Sequence, residues 1–258
     1  MMSTFLRYIT VMPSSLLRGA MRVIALFSGG KDSTYALHWA VLHGMDVVLL
    51  LTVVPRREDS WMFHRPFARY TGLQAKAMGM GDRHLVVEVS GVKEREVDEL
   101  KEVLARVSTE VDADGVVVGA LASDYQRMRV AMIAEDLGLK VFTPQWHVDQ
   151  ERYLLEIVSS GIRFVLVSIS AYGLPHELLG RVVDEGLARC IALLAKRYGF
   201  NPAFEGGEAE TFVVDAPLFQ KRIRVRGRVV RLSSYEAVFE PLELVLEPKS
   251  PEELHAQP

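Results

Sequence analysis

Six consecutive residues near the start of the chain carry groups that can bind an anion: Ser28-Gly29-Gly30-Lys31-Asp32-Ser33. The two glycines let the backbone approach a ligand without an intervening Cβ, and N–H groups at a following helix start would favour negative charge. The serine hydroxyls add donors, and Lys31 adds a positive charge. Asp32 would repel a phosphate unless a metal ion lay between them, which makes it a candidate ligand for Mg²⁺. The segment is not a Walker A loop, because Ala25 stands where that motif has glycine.

A second group of chemically active side chains lies far along the chain, in Glu205-Gly206-Gly207-Glu208-Ala209-Glu210-Thr211. Three carboxylates on a glycine-bearing loop repel one another unless a cation, a metal ion or a shared proton lies among them. We therefore predict that Glu205, Glu208 and Glu210 form part of a substrate site. A solvated acidic turn would explain the composition equally well.

Two further segments carry basic side chains. In residues 119–130, Arg127 and Arg129 lie two positions apart on a predicted helix, so they diverge by roughly 200° and only one can face a given phosphate. The alternative is that both arginines are solvated. In residues 221–231, six basic residues are interspersed with apolar ones. That pattern indicates either a strand with a solvated outer face or a surface that docks an acidic macromolecule.

Strands and helices alternate strictly through the first half of the chain. Short apolar runs that favour buried strands are separated by helical segments, as expected for βαβ units with right-handed crossovers. The predicted strands are residues 23–27, 46–54, 84–89, 115–118 and 140–142, and the predicted helices are residues 34–43, 68–80, 94–111 and 123–137. This pattern predicts a doubly wound α/β domain with a five-stranded parallel sheet, whose ligand lies at the carboxyl ends of the strands.

Beyond residue 145 the pattern changes to that of a smaller α+β domain. The predicted helices are residues 150–159 and 177–198, and the predicted strands are residues 164–169, 211–214, 221–225, 228–232, 237–239 and 242–246. Gly227 is predicted to form a hairpin turn. We divide the chain into an extension (1–20), a first domain (21–145), a second domain (146–248) and a tail (249–258). The extension is expected to be poorly ordered or, with translation starting at Met21, not translated.

Composition excludes several classes of protein. The chain has 258 residues, a net charge of −3 and a single cysteine, Cys190. An internal disulfide and a Cys-x-x-Cys metal or sulfur-relay site are therefore excluded, and we expect a reducing, cytoplasmic location. No apolar run is long enough to cross a membrane, and the net charge gives no general attraction to nucleic acid.

The loop at residues 28–33, following a first strand, resembles the PP-loop of the N-type ATP pyrophosphatases, which cleave ATP between its α and β phosphates. The wider set of motifs is similar to that of the diphthine–ammonia ligase family, from residue 21 to about residue 246. That second resemblance rests on Ser28 to Ser33, Asp59-Ser60-Trp61-Met62-Phe63-His64, Gly119 to Arg129, Pro144-Gln145-Trp146, the acidic loop with Thr211, and Asp215-Ala216-Pro217. Two departures are Ala209, where the family usually has Tyr, and Gln145, where it more often has Leu.

The resemblance implies a HUP-type fold and a two-step ligation. The carboxylate of diphthine, a modified histidine on translation elongation factor 2, attacks the α phosphorus of ATP and releases pyrophosphate. Ammonia, supplied as ammonium, then displaces AMP from the acyl-adenylate. The residues that would hold ATP are Ser28, Gly29, Gly30, Lys31, Asp32, Ser33, Gly119 and Arg127, with Asp32 orienting Mg²⁺.

The diphthine side chain carries a quaternary ammonium, which cannot donate a hydrogen bond and is best met by aromatic faces or carboxylates. The resemblance therefore implies that this group is surrounded by Glu205, Glu208 and Glu210 with Tyr125 or Trp146. The same three glutamates, with Lys31 and Asp32, are the expected catalytic residues. Self-association as a homodimer is compatible with the sequence.

Two other functions stay open at this point. One is a tRNA-modifying PP-loop enzyme, such as a thiolase or a lysidine-type synthetase; the single cysteine and the net negative charge count against it. The other is a nucleotide-binding module without catalysis. Asp32 and the acidic loop count against that second alternative.

Overall fold

The structure, a computed structural model, describes residues 19–56, 67–119 and 124–250, apart from the side chains of residues 124–126. The predicted extension, except for its last two residues, and the tail beyond residue 250 lie outside this range. Within it, a parallel sheet is followed by an antiparallel one. No helix of the described part is long and apolar enough to span a membrane.

The described part of the first domain has five strands and four α-helices in strict alternation. The strands are β1 (Arg22–Leu26), β2 (Asp46–Pro55), β3 (His84–Val89), β4 (Gly115–Val117) and β5 (Lys140–Phe142), and the helices are α1 (Lys31–Leu42), α2 (Thr71–Ala77), α3 (Arg95–Glu110) and α4 (Asp124–Asp136). The sheet order is β3-β2-β1-β4-β5, and every neighbouring pair is parallel. The order reverses between β1 and β4, and a ligand crevice is expected beyond the carboxyl ends of these two strands.

Both faces of the parallel sheet are buried, which confirms the doubly wound arrangement. On one face, Ile24 and Val116 pack with Leu100 of α3 and Ile133 of α4. On the other face, alternate residues of β1 and β2 pack against α1 and α2, in a cluster that continues into the second domain. The two domains therefore share one hydrophobic core, which fixes their relative position.

The second domain is a five-stranded antiparallel sheet with two helices. Its elements are α5 (Gln150–Ser159), β6 (Arg163–Ser170), β7 (Val182–Val183), α6 (Glu185–Tyr198), β8 (Ala209–Asp215), β9 (Lys221–Arg231) and β10 (Glu236–Pro248). Strand β6 is central: β8 lies along one edge, whereas β7 and β10 share the other edge. The outermost strand is β9, which pairs only with β10 in this sheet. This sheet confirms the predicted α+β character of the second half.

Two predicted helices were too long. The predicted helix 177–198 begins only at Glu185, where the Asp184 carboxylate accepts the Leu187 N–H at 2.8 Å and caps it. Gly180 interrupts the preceding stretch, because its φ is +73° and a Cβ there would lie 2.4 Å from the Phe239 ring. The predicted helix 68–80 is a 3₁₀ turn (Ala68–Tyr70) followed by α2.

The predicted hairpin turn at Gly227 is also wrong. Gly227 lies inside β9, opposite Pro241, and the turn between β9 and β10 falls at residues 232–235. A Cβ at position 227 would lie 2.3 Å from the Glu240 carbonyl oxygen. Glycine is therefore required here by the close approach of the neighbouring strand and not by a turn.

The basic stretch in β9 forms an ion-pair ladder. Cross-strand pairing sets its arginines beside glutamates of β10, and the last arginine pairs with the segment after β6. The pairs are Arg222 and Arg224 with Glu247, Arg226 with Glu243, Arg228 with Glu240, and Arg231 with Glu177. Four carboxylates thus pair with five of the six basic residues, which favours the solvated-face interpretation over docking of an acidic macromolecule.

Buried polar residues tie α1 to the end of β8. The His38 ring donates from Nδ1 to the Thr34 carbonyl at 2.7 Å, and its Nε2 accepts the Leu218 N–H at 3.1 Å. Beside it the ammonium of Lys249 pairs with Asp215 and donates to the Ala216 carbonyl. Lys249, which we had placed in the tail, is therefore part of the buried structure. The pKa of His38 is lowered to about 4, mainly by burial and to a smaller extent by the charge of Lys249, against the raising effect of the Thr34 hydrogen bond.

The free energy of unfolding should depend on His38 between about pH 6.5 and 4. Its pKa in the folded protein lies below the unfolded value, so the unfolded chain binds the extra proton. Stability therefore falls as the pH is lowered through this window, by about 3 kcal/mol. Urea unfolding at a series of pH values measures the loss. In His38→Gln, whose amide oxygen can accept the Leu218 N–H without titrating, the loss should be smaller by that amount; an unchanged profile would contradict a neutral, buried His38.

Candidate active site

Hydrogen bonds of Ser28 and Ser33 hold the loop after β1 in its conformation. The Ser28 N–H donates to Ser33 Oγ at 3.2 Å, the two serine hydroxyls lie 3.1 Å apart, and Ser33 Oγ donates to the Gly30 carbonyl at 3.2 Å. Gly30 is the N-cap of α1 and contributes no side-chain cap. The loop therefore curls at a helix start, the backbone arrangement that binds phosphate groups in other nucleotide sites.

Gly29 is where strand β8 of the second domain joins this loop. Its carbonyl oxygen accepts the Val213 N–H at 2.9 Å and the amide of Gln74 at 2.8 Å. The same Gln74 amide nitrogen donates to the Val213 carbonyl at 2.8 Å. The φ of Gly29 is +80°, and a Cβ there would lie 2.2 Å from Gln74 Oε1. Only glycine allows the loop to pack against both partners.

The start of α1 is also held by β8. The Thr211 hydroxyl oxygen accepts the Lys31 N–H at 3.1 Å, which supplies the capping acceptor that Gly30 lacks. The Lys31 side chain is buried, with its ammonium 2.8 Å from Asp32 Oδ2 and 5.6 Å from the centre of the Phe204 ring. Lys31 thus extends from the PP-loop towards the segment that begins the acidic loop.

Asp32 is fixed from two directions and still partly open to solvent. The Tyr153 hydroxyl donates to Asp32 Oδ1 at 3.0 Å, and the Gln145 amide donates to the Asp32 carbonyl at 3.0 Å. Burial raises the pKa of Tyr153, and the charges of Asp32 and Glu205 raise it further, so the phenol stays protonated as a donor. The Asp32 side chain is 22% exposed. Each carboxylate oxygen keeps a lone pair beyond the bond described, which a ligand can reach.

Asp32 has the chemistry of a Mg²⁺ ligand. Magnesium in nucleotide sites is usually held by one or two carboxylates together with phosphate oxygens and waters. The described residues contain no group of three His, Cys, Asp or Glu side chains placed to hold a metal by themselves. A single accessible carboxylate beside a phosphate loop fits magnesium that arrives with the nucleotide.

The loop after β4 packs directly on the first turn of α1. A Cβ at Gly119 would lie 2.6 Å from the Ser33 nitrogen, so the residue that we expected to contact ATP must be glycine for the crevice to form. The guanidinium of Arg127 lies 4.4 Å above the Trp146 ring, whereas Arg129 pairs with Glu94 at 2.8 Å. The two arginines diverge, as their spacing indicated.

The three carboxylates of the acidic loop have different surroundings. Both carboxylate oxygens of Glu208 accept backbone N–H groups, from Asn201 at 2.9 Å and from Gly206 at 2.8 Å. Glu205 follows Phe204, whose ring lies near the Lys31 ammonium, and the charge of Glu205 raises the pKa of Tyr153. Glu210 precedes Thr211 in β8, and its N–H donates to Ser168 Oγ of β6 at 3.2 Å.

Several side-chain contacts with the PP-loop were not found from the sequence, although Thr211 belongs to the motif of the acidic loop. The PP-loop is bonded by three side chains whose contact no sequence motif indicates: Thr211, Gln74 and Tyr153. Tyr153, for example, has the spacing of a core residue in an amphipathic helix. Gln145 was noticed only as a departure from the family pattern. The side chain of Tyr125 and the segment 59–64 lie outside the described residues. The roles assigned to Trp146 and to the three glutamates stay predictions.

A glycine loop at the switch point of a five-stranded parallel sheet, completed by a strand from an α+β domain, defines a nucleotide-binding α/β protein of the PP-loop type. Comparisons with known proteins agree. The family model of the diphthamide synthase N-terminal domain matches residues 21–141, and that of the diphthamide synthase C-terminal domain matches residues 149–239. The chain belongs to the diphthamide synthase family.

Several vertebrate relatives named as diphthine–ammonia ligases are similar over most of their length. The zebrafish (Danio rerio) protein is 35% identical over 233 residues, which cover 84% of this chain and 91% of the relative. The human (Homo sapiens) protein is 34% identical over 252 residues, with 89% and 94% covered. The protein from Rattus norvegicus is 36% identical over 222 residues, with 80% and 83% covered. Membership of this PP-loop family implies the use of ATP.

Gly29→Ala tests whether the ATP site depends on the close packing around Gly29 in addition to its positive φ. Gly44 is the matched control, since its φ is +73° but nothing lies within 4 Å of a Cβ there. Gly44→Ala should cost about 1 kcal/mol of stability and leave ATP affinity unchanged. Gly29→Ala should cost about 2 kcal/mol more and weaken ATP binding at least tenfold, because Gln74 must move. Chemical unfolding and calorimetric titration with ATP measure both effects; equal losses in the two variants would count against the packing argument.

Proposed function

We propose that this protein catalyses the ATP-dependent amidation of diphthine on translation elongation factor 2. The diphthine carboxylate attacks the α phosphorus of ATP, which forms an acyl-adenylate and releases pyrophosphate. Ammonia then attacks the acyl carbon, and AMP leaves as the amide forms. The observation that carries the proposal is the junction of the PP-loop with β8, because this strand leads directly from the acidic loop to the phosphate site.

The phosphate groups of ATP are the proposed ligands of the loop after β1. Ser28, Gly29, Gly30, Lys31 and Ser33 would surround the pyrophosphate, with Gly119 closing the crevice. Transfer at phosphorus depends mainly on positioning and on charge stabilisation, and this mechanism needs no protein nucleophile. The paired, buried state of Lys31 supports a role in linking the loop to the acceptor side of the site.

Mg²⁺ is part of the proposal through Asp32. Bound with ATP, it would neutralise phosphate charge and draw electrons away from the leaving pyrophosphate. Tyr153 supports this role of Asp32, since a protonated phenol on Oδ1 fixes the carboxylate without removing its charge. Loss of that hydrogen bond would let Asp32 rotate.

The diphthine side chain is proposed to lie between the acidic loop and the segment around Trp146. Glu205 and Glu210 would offset the quaternary ammonium charge, with Trp146 or Tyr125 supplying an aromatic face. One face of Trp146 is covered by the Arg127 guanidinium. The substrate would therefore contact the opposite face of the Trp146 ring. Arg127 would then remain available to contact the nucleotide. Glu208, with both oxygens bonded to backbone, would act by shaping the loop.

The proposal also includes the partners and the location of the reaction. Elongation factor 2 is the protein substrate, ammonium is the nitrogen source, and the cytoplasm is the expected location. A homodimer stays a prediction. The arginines of β9 are engaged in ion pairs with glutamates, which gives little support to a tRNA-modifying alternative.

The direct test combines the purified protein with ATP, Mg²⁺, ammonium and elongation factor 2 that bears diphthine. We expect AMP and pyrophosphate in equal amounts, and a fall of about one mass unit at the modified histidine, since NH₂ replaces OH. AMP should form only when the modified factor is present. AMP formation without a mass change, or with unmodified factor, would contradict the proposal.

A further inference from the structure

Three strand ends meet at one end of the antiparallel sheet. Register pairs Ser170, the last residue of β6, with Glu236 at the start of β10, and pairs Ile169 with Ala209 at the start of β8. The Ser170 N–H also donates to the Glu208 carbonyl at 2.8 Å. The acidic loop and the turn between β9 and β10 therefore flank the same residue of β6.

A cleft of about 420 Å³, open to solvent, lies at this sheet end. We name it the tyrosine cleft, because Tyr172, Tyr198 and Tyr235 line it. Tyr172 follows β6 and is 76% exposed, whereas Tyr235 belongs to the turn before β10 and is 49% exposed. Two large aromatic side chains from neighbouring strand ends thus face water beside the acidic loop.

The walls of the tyrosine cleft are held in place. The Tyr172 and Tyr198 rings contact edge to face, with centroids 5.6 Å apart and planes at 88°. Gly173 packs on Tyr198 so closely that a Cβ there would lie 2.2 Å from the ring, and its φ is +86°. Glu177 and Arg231, both lining the cleft, pair at 3.3 Å. The Tyr172 ring is therefore held against a fixed partner, and the neighbouring charges of Glu177 and Arg231 are paired.

These features fit a polypeptide better than a small molecule. Small-molecule sites enclose most of the ligand, whereas this cleft is open and its Tyr172 side chain is largely exposed. Tyrosine and arginine are the residue types that contribute most to protein interfaces. Burying a ring that is already held in place, as Tyr172 is by Tyr198, costs little conformational entropy.

The cleft also lies at the right distance from the phosphate loop. Thr211, which bonds to Lys31, is three residues from Glu208, and this separation is about 10 Å along a strand. Glu208 bonds in turn to Ser170, two residues before Tyr172. A protein segment in the cleft would therefore lie within reach of a long side chain from the ATP site.

We propose that the tyrosine cleft binds the polypeptide of the protein substrate next to the modified residue, and not the modified side chain itself. This inference rests on the proposed function, because it assumes a protein substrate. It predicts that the cleft contributes equally to the binding of modified and unmodified factor.

The test measures dissociation constants for elongation factor 2 with and without diphthine. Tyr172→Ala and Tyr235→Ala, made separately, should each weaken binding of both forms by the same factor, about tenfold. Leu242→Ala is the control: Leu242 is 70% exposed on β10, six residues from Glu236, and does not line the cleft. This variant should bind both forms as the wild type does. Unchanged ATP affinity reports correct folding, and each tyrosine variant tests the cleft independently of the other.

Three results would overturn the inference. They are wild-type affinity in both tyrosine variants, a loss confined to the modified factor, and no measurable binding of unmodified factor to the wild type. The proposed function is judged separately by the mass change produced by the wild-type protein. If the wild-type protein ligates normally and the tyrosine variants bind the factor with wild-type affinity, only the docking role of the cleft is contradicted.

Discussion

The Gly29 carbonyl oxygen is the point on which the architecture of the site depends. It accepts one hydrogen bond from the backbone of β8 and one from Gln74, whose amide nitrogen also bonds to β8. A phosphate loop in a doubly wound domain is usually built from that domain alone. Here the strand from the second domain shapes the loop, and the Thr211 hydroxyl completes the helix start. Hydrogen bonds therefore connect the loop after β1 with the strand that follows the acidic loop.

This arrangement buries several polar side chains, and the charged ones among them need partners. Lys31 is almost completely buried, which is unfavourable for an ammonium without a partner. Asp32 and the Phe204 ring supply the partners, while Tyr153 and Gln145 hold Asp32 in position. Removing one member leaves another unsatisfied, and such losses are large in a low-dielectric interior. Asp32 is consequently a structural residue of the loop as well as a candidate metal ligand.

The sequence was sufficient to predict elements whose causes are local. The apolar run after Arg22, the glycine pair and the alternation of strands and helices indicated the parallel sheet and the position of its ligand crevice. Gly227 was misjudged because the constraint on it, the Glu240 carbonyl, lies on another strand. Thr211 and Gln74 were missed for the same reason: their partner is a loop about 180 and 45 residues away in sequence. The arginines of β9 could be interpreted only when register had placed glutamates beside them.

The central claim, that a hydroxyl from β8 completes the PP-loop, is tested most directly by comparing Thr211→Ser with Thr211→Val. Serine keeps the acceptor for the Lys31 N–H, whereas valine keeps the shape and removes it. The measurement is the turnover rate for AMP formation with ATP, ammonium and diphthine-bearing factor. The account predicts that Thr211→Ser stays near the wild-type rate and that Thr211→Val falls about tenfold. Equal rates in the two variants would contradict it.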